Sequence, residues 1–283
     1  MRAYHFFMKF WRSFWIGFRC AWLVIFMIAA VLAAMYFVMY EFSMRLDKYL
    51  AGSGVFSRSE AGRAVRSGRI TVNGEVVKNP AVHIDENSAK VMFGSEPVVW
   101  TKYKYVMLNK PEGYISATDT DPGDAGRTVM ALLPLEFGRL DMFPCGRLDI
   151  DTVGLLLVTN DGPSAHELLS PRHHVEKTYR FHCSVPVDEE MHRRLETGIA
   201  FQDFTSKPCR VVLDESGSSG EITVTEGKFH QIKRMFLAVG SEITFLERIT
   251  FGPLKLDESL ARGEWRYLTE EEITALVGKL NQK

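Results

Sequence analysis

The chain has 283 residues, of which 46% are hydrophobic and 24% are charged, so it has an ordinary globular composition and is long enough for two domains. Its formal net charge of −1 excludes a generally basic nucleic-acid-binding protein, and any RNA binding must come from local clusters of Lys and Arg. The four cysteines show no Cys-x-x-Cys spacing, which argues against a zinc site or a disulfide framework and suits a reducing cytoplasm.

Residues 1–43 differ in character from the rest of the chain. Cys20 to Tyr40 contains no charged residue, and a run of about 20 apolar residues is long enough to span a membrane. Because only basic charges precede this run, such an anchor would export everything from Met44 onward. We instead expect translation to begin at Met44, with residues 1–43 as upstream sequence, and a cytoplasmic protein. An inner-membrane anchor through residues 20–40 is the alternative.

Residues 44–102 are predicted to form a small domain of two helices and a hairpin. Arg45 to Ala51 is expected to be a short helix, and the Ser57 to Glu60 spacing is typical of a capping box that opens a second helix, ending near Ser67. Asn73-Gly74 between two short apolar runs is a strong signal for a tight hairpin turn. Basic residues recur through this segment: Arg45, Lys48, Arg58, Arg63, Arg66 and Arg69. Charge alone favours a solvated helix face over an RNA contact.

Residues 103–283 are predicted to form a larger domain. It begins with a strand from Tyr105 to Leu108, and a turn follows at Lys110-Pro111, where proline fixes the φ angle. Residues 119–126 are rich in Asp and Gly and are expected to be a loop, and Thr128 to Leu133 a short helix.

Asp149 stands just before a second buried strand, the apolar run from Val153 to Val158. A carboxylate at the mouth of a buried strand is partly desolvated, so it needs a cationic partner or a role that justifies its cost. Asp151 is the competing carboxylate, since in an extended chain both side chains would point the same way. The residues alone do not rank the two.

The remainder of the large domain is predicted to alternate strands and helices. Helices are expected at 164–169, 188–198 and 231–239, with a further helix from Thr269, and strands at 175–181, 209–214, 221–225, 245–249 and 262–268. The helix at 231–239 has an apolar stripe of Ile232, Met235, Phe236 and Val239.

Three segments resemble, in order and spacing, the motifs of the pseudouridine synthase family. They are Gly146-Arg147-Leu148-Asp149, Lys177-Thr178-Tyr179 and Phe229-His230-Gln231-Ile232-Lys233-Arg234. Residues 44–78 resemble the S4 RNA-binding domain, and the whole likeness covers about residues 44–276 in the manner of the RsuA-type branch. It implies an α+β fold: a small S4-like α/β domain, then a mixed, mainly antiparallel-sheet synthase domain with flanking helices.

The resemblance also implies roles for particular residues. Asp149 is the indispensable catalytic carboxylate, Lys233 is its cationic partner, with Arg234 the weaker choice, and Tyr179 packs against the target base. An aromatic ring suits that last role because a base taken out of its stack loses stacking partners. The expected RNA contacts are Arg147, Lys110, Arg172, Lys177, His230, Gln231, Arg234 and the six basic residues of the small domain.

By resemblance, the activity is isomerisation of uridine to pseudouridine in ribosomal RNA. Segments such as Pro171-Arg172-His173-His174 are most similar to those of enzymes acting on 16S RNA of the small subunit, free or in an assembly intermediate. We expect no cofactor, no metal and a monomer. The alternatives are a large-subunit ribosomal RNA pseudouridine synthase, a noncatalytic S4-type RNA-binding or ribosome-assembly protein, and a membrane-anchored protein.

Overall fold

A computed structural model describes residues 43–119, 127–170 and 172–278. The chain forms two compact units that divide between Trp100 and Thr101. The predictions made for the apolar segment 20–40 and for most of the loop 119–126 fall outside the described residues. Among the described residues, no helix is long and apolar enough to cross a membrane.

Residues 43–100, the described part of the first unit, form two helices and six short strands. Its elements are β1 (Ser43–Arg45), α1 (Leu46–Gly52), α2 (Arg58–Arg66), β2 (Ile70–Val72), β3 (Glu75–Val76), β4 (His83–Asp85), β5 (Val91–Phe93) and β6 (Glu96–Pro97). Strands β3-β2-β5-β6 form an antiparallel sheet, and β1 pairs with β4. Their core is apolar and includes Leu46, Leu50, Ala61, Val65 and Ile70.

Local sequence signals of this unit are confirmed by the structure. The Glu60 amide donates to the Ser57 hydroxyl at 3.3 Å, and the Glu60 carboxylate accepts from the Ser57 amide at 2.7 Å, which completes the capping box. Asn73 and Gly74 both have positive φ angles, 52° and 89°, as a tight hairpin turn requires. Strands β4 to β6 were not predicted.

The second unit is built on one large sheet with helices packed against it. Its elements are β7 (Tyr105–Lys110), β8 (Tyr114–Ile115), β9 (Arg127–Thr128), a 3₁₀ helix (Val129–Leu132), α3 (Leu135–Arg139), β10 (Phe143–Pro144), β11 (Val153–Thr159), α4 (Gly162–Leu169), β12 (Lys177–Cys183), α5 (Glu189–Thr197), β13 (Arg210–Leu213), β14 (Ser219–Val224), α6 (Gln231–Val239), β15 (Ile243–Phe251), β16 (Leu254–Lys255), β17 (Trp265–Tyr267) and α7 (Glu270–Gly278).

The sheet order is β13-β14-β12-β15-β11-β7-β17, with β10 added to β11 and β16 added to β15. Every pair in this sheet is antiparallel except β11 with β15. The predicted α+β architecture with a mixed, mainly antiparallel sheet is therefore confirmed. All residues of β7 and β11 are buried, as expected for central strands covered on both faces.

Gly154 allows β15 to approach β11 closely at the parallel pairing of the large sheet. Its φ angle is +98°, and a Cβ at this position would lie 2.4 Å from the backbone O of Arg248. Any side chain here would clash with backbone that cannot move aside. The glycine therefore fixes the end of β11 from which the preceding turn projects.

Helix α6 confirms the predicted apolar stripe, because Ile232, Met235, Phe236 and Val239 are all buried. Its Phe236 ring packs against Phe181 of β12 with centroids 4.7 Å apart. Several elements differ from the prediction: strands β8, β9, β10 and β16 were not predicted, and three further differences are larger. The short helix at 128–133 is a 3₁₀ turn, α3 was not predicted, and the strand expected at 262–268 shrinks to β17 because the chain before it turns at Leu260 and Glu264.

Candidate active site

Asp149 lies in a tight turn between β10 and β11. The amide of Thr152 donates to the carbonyl O of Asp149 at 3.1 Å. Ser116 fixes the residue before it, because its hydroxyl donates to the Leu148 carbonyl at 3.0 Å and accepts from the Leu148 amide at 3.1 Å. The expectation of an extended chain through Asp149 and Asp151 is wrong, since the backbone turns between them.

Lys110 supports this turn from below. Its Nζ donates to three carbonyl oxygens of the turn, those of Asp149 (3.0 Å), Ile150 (3.2 Å) and Thr152 (2.8 Å). Burial lowers the pKa of Lys110 to about 8, although the charges of Asp151 and Asp149 partly offset that effect. The side chain is 0% exposed, so the prediction that it contacts RNA is wrong. Lys110 instead positions the backbone that carries Asp149.

Lys233, in the first turn of α6, reaches across to this turn. Its Nζ is 3.3 Å from Asp149 Oδ2 and forms a shorter contact with Asp151 Oδ1. The Nε2 of His230 lies 3.6 Å from Asp149 Oδ1. The predicted contact between Lys233 and Asp149 is present. The second contact, from Lys233 to Asp151, was not predicted. One ammonium group thus contacts two carboxylates.

The sharing of Lys233 has a chemical consequence. Partial burial is the largest single influence on Asp151 and raises its pKa. The hydrogen bond from Lys233, the charge of Lys233 and smaller contributions together outweigh it and hold the pKa of Asp151 below its ordinary value. The 3.3 Å contact to Asp149 is longer than a charge-assisted hydrogen bond of about 2.7–2.9 Å. The Asp149 carboxylate, 27% exposed, therefore has capacity left for another group, as a nucleophile or a base requires.

A small, open cleft lies beside Asp149. Its apolar lining includes Tyr179, Val224, Ile232 and Leu246. Tyr179 is mostly buried in the core of the unit, and its remaining surface faces the cleft. Two carboxylates also line the cleft: Asp149, and Glu226, which accepts from the Gln231 amide group at 2.7 Å. The cleft therefore combines apolar surface with charged groups.

Gln231 fixes the loop that precedes α6. Its Nε2 donates to Glu226 Oε1 at 2.7 Å, and its Oε1 accepts from the Lys228 amide at 3.1 Å. Because the Gln231 residue is 5% exposed and both ends of its amide are used, the prediction of a direct RNA contact is wrong. Its role is to hold the loop in one conformation.

Lys177 was also predicted to contact RNA and is instead buried. Its Nζ donates to the Val175 carbonyl at 2.9 Å. Burial, with a smaller contribution from the charge of Arg248, lowers the pKa of Lys177 to about 8. Lys177 supports the start of β12, the strand that carries Tyr179.

The other predicted RNA contacts of this unit are at the surface. Arg147 lines the cleft and is exposed, and neither it nor the exposed Arg172 forms a side-chain hydrogen bond or ion pair with the part of the chain that the structure describes. Arg234 is engaged within the protein: its guanidinium binds Asp203 at 2.6 and 3.0 Å and lies 4.6 Å from the centre of the Phe201 ring. His230 is partly exposed beside Asp149.

The six predicted basic residues of the first unit, Arg45, Lys48, Arg58, Arg63, Arg66 and Arg69, are all exposed. Arg45 is partly neutralised by Asp47, at 2.7 Å. The side chain of Arg69 lies over the Phe93 ring at 5.1 Å. Arg63 and Arg66 share the face of α2 opposite its buried residues, so this face presents positive charge to solvent.

Two features of the site carry no local sequence signal. Ser116 is separated from its partner Leu148 by 32 residues. No local pattern predicts that a single serine in a loop makes such a contact. The burial of Lys110 is equally hard to predict, because a lysine near a turn is ordinarily exposed. Within the described residues there is no group of three or more His, Cys, Asp or Glu side chains able to hold a metal ion.

Comparison with known families gives two matches. The sequence model of the RNA pseudouridylate synthase family matches residues 104–238. That of the S4 domain matches residues 44–89. The two matches follow one another along the chain and fall on the two compact units.

Known relatives extend this likeness over their full length. An uncharacterized RNA pseudouridine synthase of Bacillus subtilis is 43% identical over 237 residues, which cover 82% of this chain and 98% of the relative. The ribosomal small subunit pseudouridine synthase A of Escherichia coli is 40% identical over 83% of this chain and 100% of its own length. A crystal structure of a pseudouridylate synthase is 36% identical, with a TM-score of 0.57 over 83% of this chain and 100% of its own.

Proposed function

The chain belongs to the RNA pseudouridylate synthase family, and on that premise we propose that it converts one uridine of small-subunit ribosomal RNA to pseudouridine, with Asp149 as the catalytic carboxylate. The observation that carries the proposal is the under-bonded Asp149 carboxylate at the rim of a partly apolar cleft, 3.3 Å from Lys233. The small-subunit substrate is supported by relatives of that name in Escherichia coli and Salmonella typhimurium, each 40% identical.

The reaction breaks the N1–C1′ bond of the uridine, turns the uracil and joins its C5 to C1′. The proton on C5 is lost and N1 ends with a proton, so atoms balance without a co-substrate. Asp149 has three candidate first steps: attack on C1′, addition to C6 of the ring, or removal of a sugar proton. Each needs an ionised carboxylate held beside the displaced nucleotide, which a neighbouring ammonium such as Lys233 favours.

The cleft suits a base that has left its stack. Tyr179, Ile232 and Leu246 offer apolar and aromatic surface, which compensates the stacking lost on extrusion. Arg147 is free at the cleft and is proposed to bind the phosphate next to the displaced nucleotide, because Arg matches phosphate oxygens with two parallel hydrogen bonds.

The first unit is proposed to bind RNA phosphates through the exposed face of α2. Arg63→Ala and Arg66→Ala are each expected to weaken RNA binding uniformly across sequences and to reduce the salt slope by about 0.7–0.9 per lost phosphate contact. Filter binding at several salt concentrations measures the slope. Arg45→Ala, whose guanidinium already binds Asp47, is the matched control with a smaller change.

We propose that the protein acts as a monomer in the cytoplasm, where its ribosomal substrate is made. Fractionation of cells that produce the full chain tests the location. Recovery of the activity in the membrane fraction would favour an anchor through residues 20–40.

The decisive experiment maps pseudouridine. Small-subunit ribosomal RNA, free or in a partly assembled particle, is incubated with the protein, treated with carbodiimide and read by primer extension. We expect a single new stop that is absent with Asp149→Ala. A stop only in large-subunit RNA would keep the chemistry and change the substrate, and tight RNA binding without any stop would favour a noncatalytic RNA-binding or ribosome-assembly protein.

A further inference from the structure

Phe229 presents an exposed aromatic ring next to the catalytic cleft. The residue is 76% exposed. The ring stacks on His230 with centroids 3.8 Å apart and planes 18° from parallel. His230 in turn lies 3.6 Å from the Asp149 carboxylate. A two-ring stack therefore leads from solvent to the catalytic residue.

The loop that carries these rings is fixed rather than loose. Below it, Gln231 binds Glu226 and the Lys228 amide at 2.7 and 3.1 Å. The amide of Arg234 donates to the His230 carbonyl at 2.9 Å. His230 itself has a φ angle of +49°, a left-handed conformation that is uncommon for a residue other than glycine and is retained mainly where the surroundings enforce it. The exposure of Phe229 is thus held in place by the surrounding hydrogen bonds.

We propose that the Phe229–His230 pair is a stacking platform for an unpaired RNA base that neighbours the uridine entering the cleft. This inference rests on the proposed function and names a second subsite for the same RNA. Extruding a nucleotide leaves its neighbours without a stacking partner, and an aromatic face replaces that partner whatever the base is.

Charge around the platform favours RNA as its occupant over a protein surface. Lys228 precedes Phe229 and lines the cleft together with Arg147, and both side chains are exposed. Lys228 is in the same loop as Phe229, and Arg147 lines the adjacent cleft. A nucleotide stacked on Phe229 therefore has basic groups nearby for its phosphates.

The expected effect follows from the strength of base–aromatic stacking. Phe229→Leu keeps an apolar side chain but removes the ring, and we expect it to weaken RNA binding by about 5- to 150-fold, the equivalent of about 1–3 kcal/mol. KM should rise by more than the rate at saturating RNA falls. Phe229→Trp should bind as tightly as the natural protein or more tightly. Leu237→Ala is the matched control. Leu237 lies on α6 and, like Phe229, is an exposed apolar residue (69% exposed), but it does not line the cleft.

The direct readout is the fluorescence of 2-aminopurine in a fragment of small-subunit ribosomal RNA. The analogue replaces, in turn, the nucleotide on each side of the modified uridine, and the full-length protein is added. With the natural protein, Phe229→Trp and Leu237→Ala, we expect the fluorescence to be quenched at one of the two positions. With Phe229→Leu, we expect that quenching to be lost even at concentrations at which the variant is fully bound to RNA. Thermal melting confirms that each variant is folded.

Wild-type affinity and unchanged quenching with Phe229→Leu would overturn the platform. Failure of the proposed function looks different: the natural protein would form no pseudouridine in ribosomal RNA. In that case single-stranded RNA with one 2-aminopurine still tests the platform, because Phe229→Leu must lose quenching that the natural protein shows.

Discussion

Two carboxylate clusters of the large sheet, one around Asp149 and one around Glu247, are built in opposite ways. Glu247 is 9% exposed and saturated: it accepts from Arg180 at 3.1 Å and from Arg262 at 2.7 Å. Arg262 is itself held by Asn109 at 2.5 Å. Around Asp149 the ratio of cations to carboxylates is reversed, because Asp149 and Asp151 share the ammonium group of Lys233.

The difference separates a structural carboxylate from a reactive one. A buried carboxylate with a guanidinium on each of its oxygens has little access left for a substrate atom, and its role is to hold strands together. A partly exposed carboxylate that shares its ammonium partner keeps an open position for a substrate atom. Period-two alternation along β15 separates the two clusters, since Leu246 faces the cleft and its neighbour Glu247 points to the other side.

The largest expected effect is on Asp149. Asp149→Asn keeps the shape and removes the charge, so we expect turnover to fall by about 10³-fold or more. RNA affinity and the melting temperature should change little. Single-turnover pseudouridine formation at saturating protein measures the loss, and residual turnover within tenfold of the natural protein would assign the chemistry to another residue.

Lys233 comes next. Lys233→Met leaves two carboxylates without their shared cation, and we expect turnover to fall by about 10²-fold. Lys233→Arg restores the charge and should recover part of the activity. If the methionine and arginine variants lose activity equally, the charge of Lys233 is not what matters.

Glu247→Gln tests the structural cluster. It leaves Arg180 and Arg262 without their buried counter-charge, and we expect the free energy of unfolding to fall by about 1–3 kcal/mol, discounted because both arginines reach solvent. Turnover of the folded variant at saturating RNA should match the natural protein. Urea unfolding gives the stability, and Glu258→Gln, at an exposed position of the same cavity, should change it by no more than about 0.5 kcal/mol.

The pH dependence of stability tests Lys110. The pKa of Lys110 is lowered from 10.5 in the free side chain to about 8 in the folded protein, so between these values the unfolded chain binds more protons and stability rises with pH. The free energy of unfolding of the natural protein, minus that of Lys110→Met, should increase by about 1–2 kcal/mol from about pH 7 to about pH 9.5. A difference that stays flat or decreases would mean that Lys110 is not held as a buried cation.

Asp151→Asn should have the smallest effect. It leaves Lys233 entirely to Asp149, which remains paired, so we expect turnover to fall by less than about tenfold. A loss as large as that of Asp149→Asn would reverse the assignment of the two carboxylates.

Sequence signals predicted the parts of this molecule that depend on neighbouring residues. The Ser57–Glu60 capping box, the Asn73-Gly74 turn and the stripe of α6 act within a few residues, and each was predicted correctly. Strand β11 was predicted because its apolar run is continuous. The motif resemblance brought Lys233 to Asp149, 84 positions apart in the chain.

The burial of individual polar side chains and several contacts between distant segments were missed. Lys110 and Lys177 were assigned to RNA from their places in the family resemblance. Only the folded structure shows that both are buried and that their ammonium groups donate to backbone carbonyls. The sharing of Lys233 depends on the turn between Asp149 and Asp151, and that turn is set by Lys110 and Ser116 from elsewhere in the chain.

The most direct test measures chemistry and stability together in Asp149→Asn and Glu247→Gln. Each variant is melted thermally, and its pseudouridine yield on small-subunit ribosomal RNA is read by carbodiimide-stop primer extension under saturating, folded conditions. We expect Asp149→Asn to melt with the natural protein and give no stop, and Glu247→Gln to melt lower and give the full stop. A full stop from Asp149→Asn, or none from folded Glu247→Gln, would contradict the division into a reactive and a structural carboxylate.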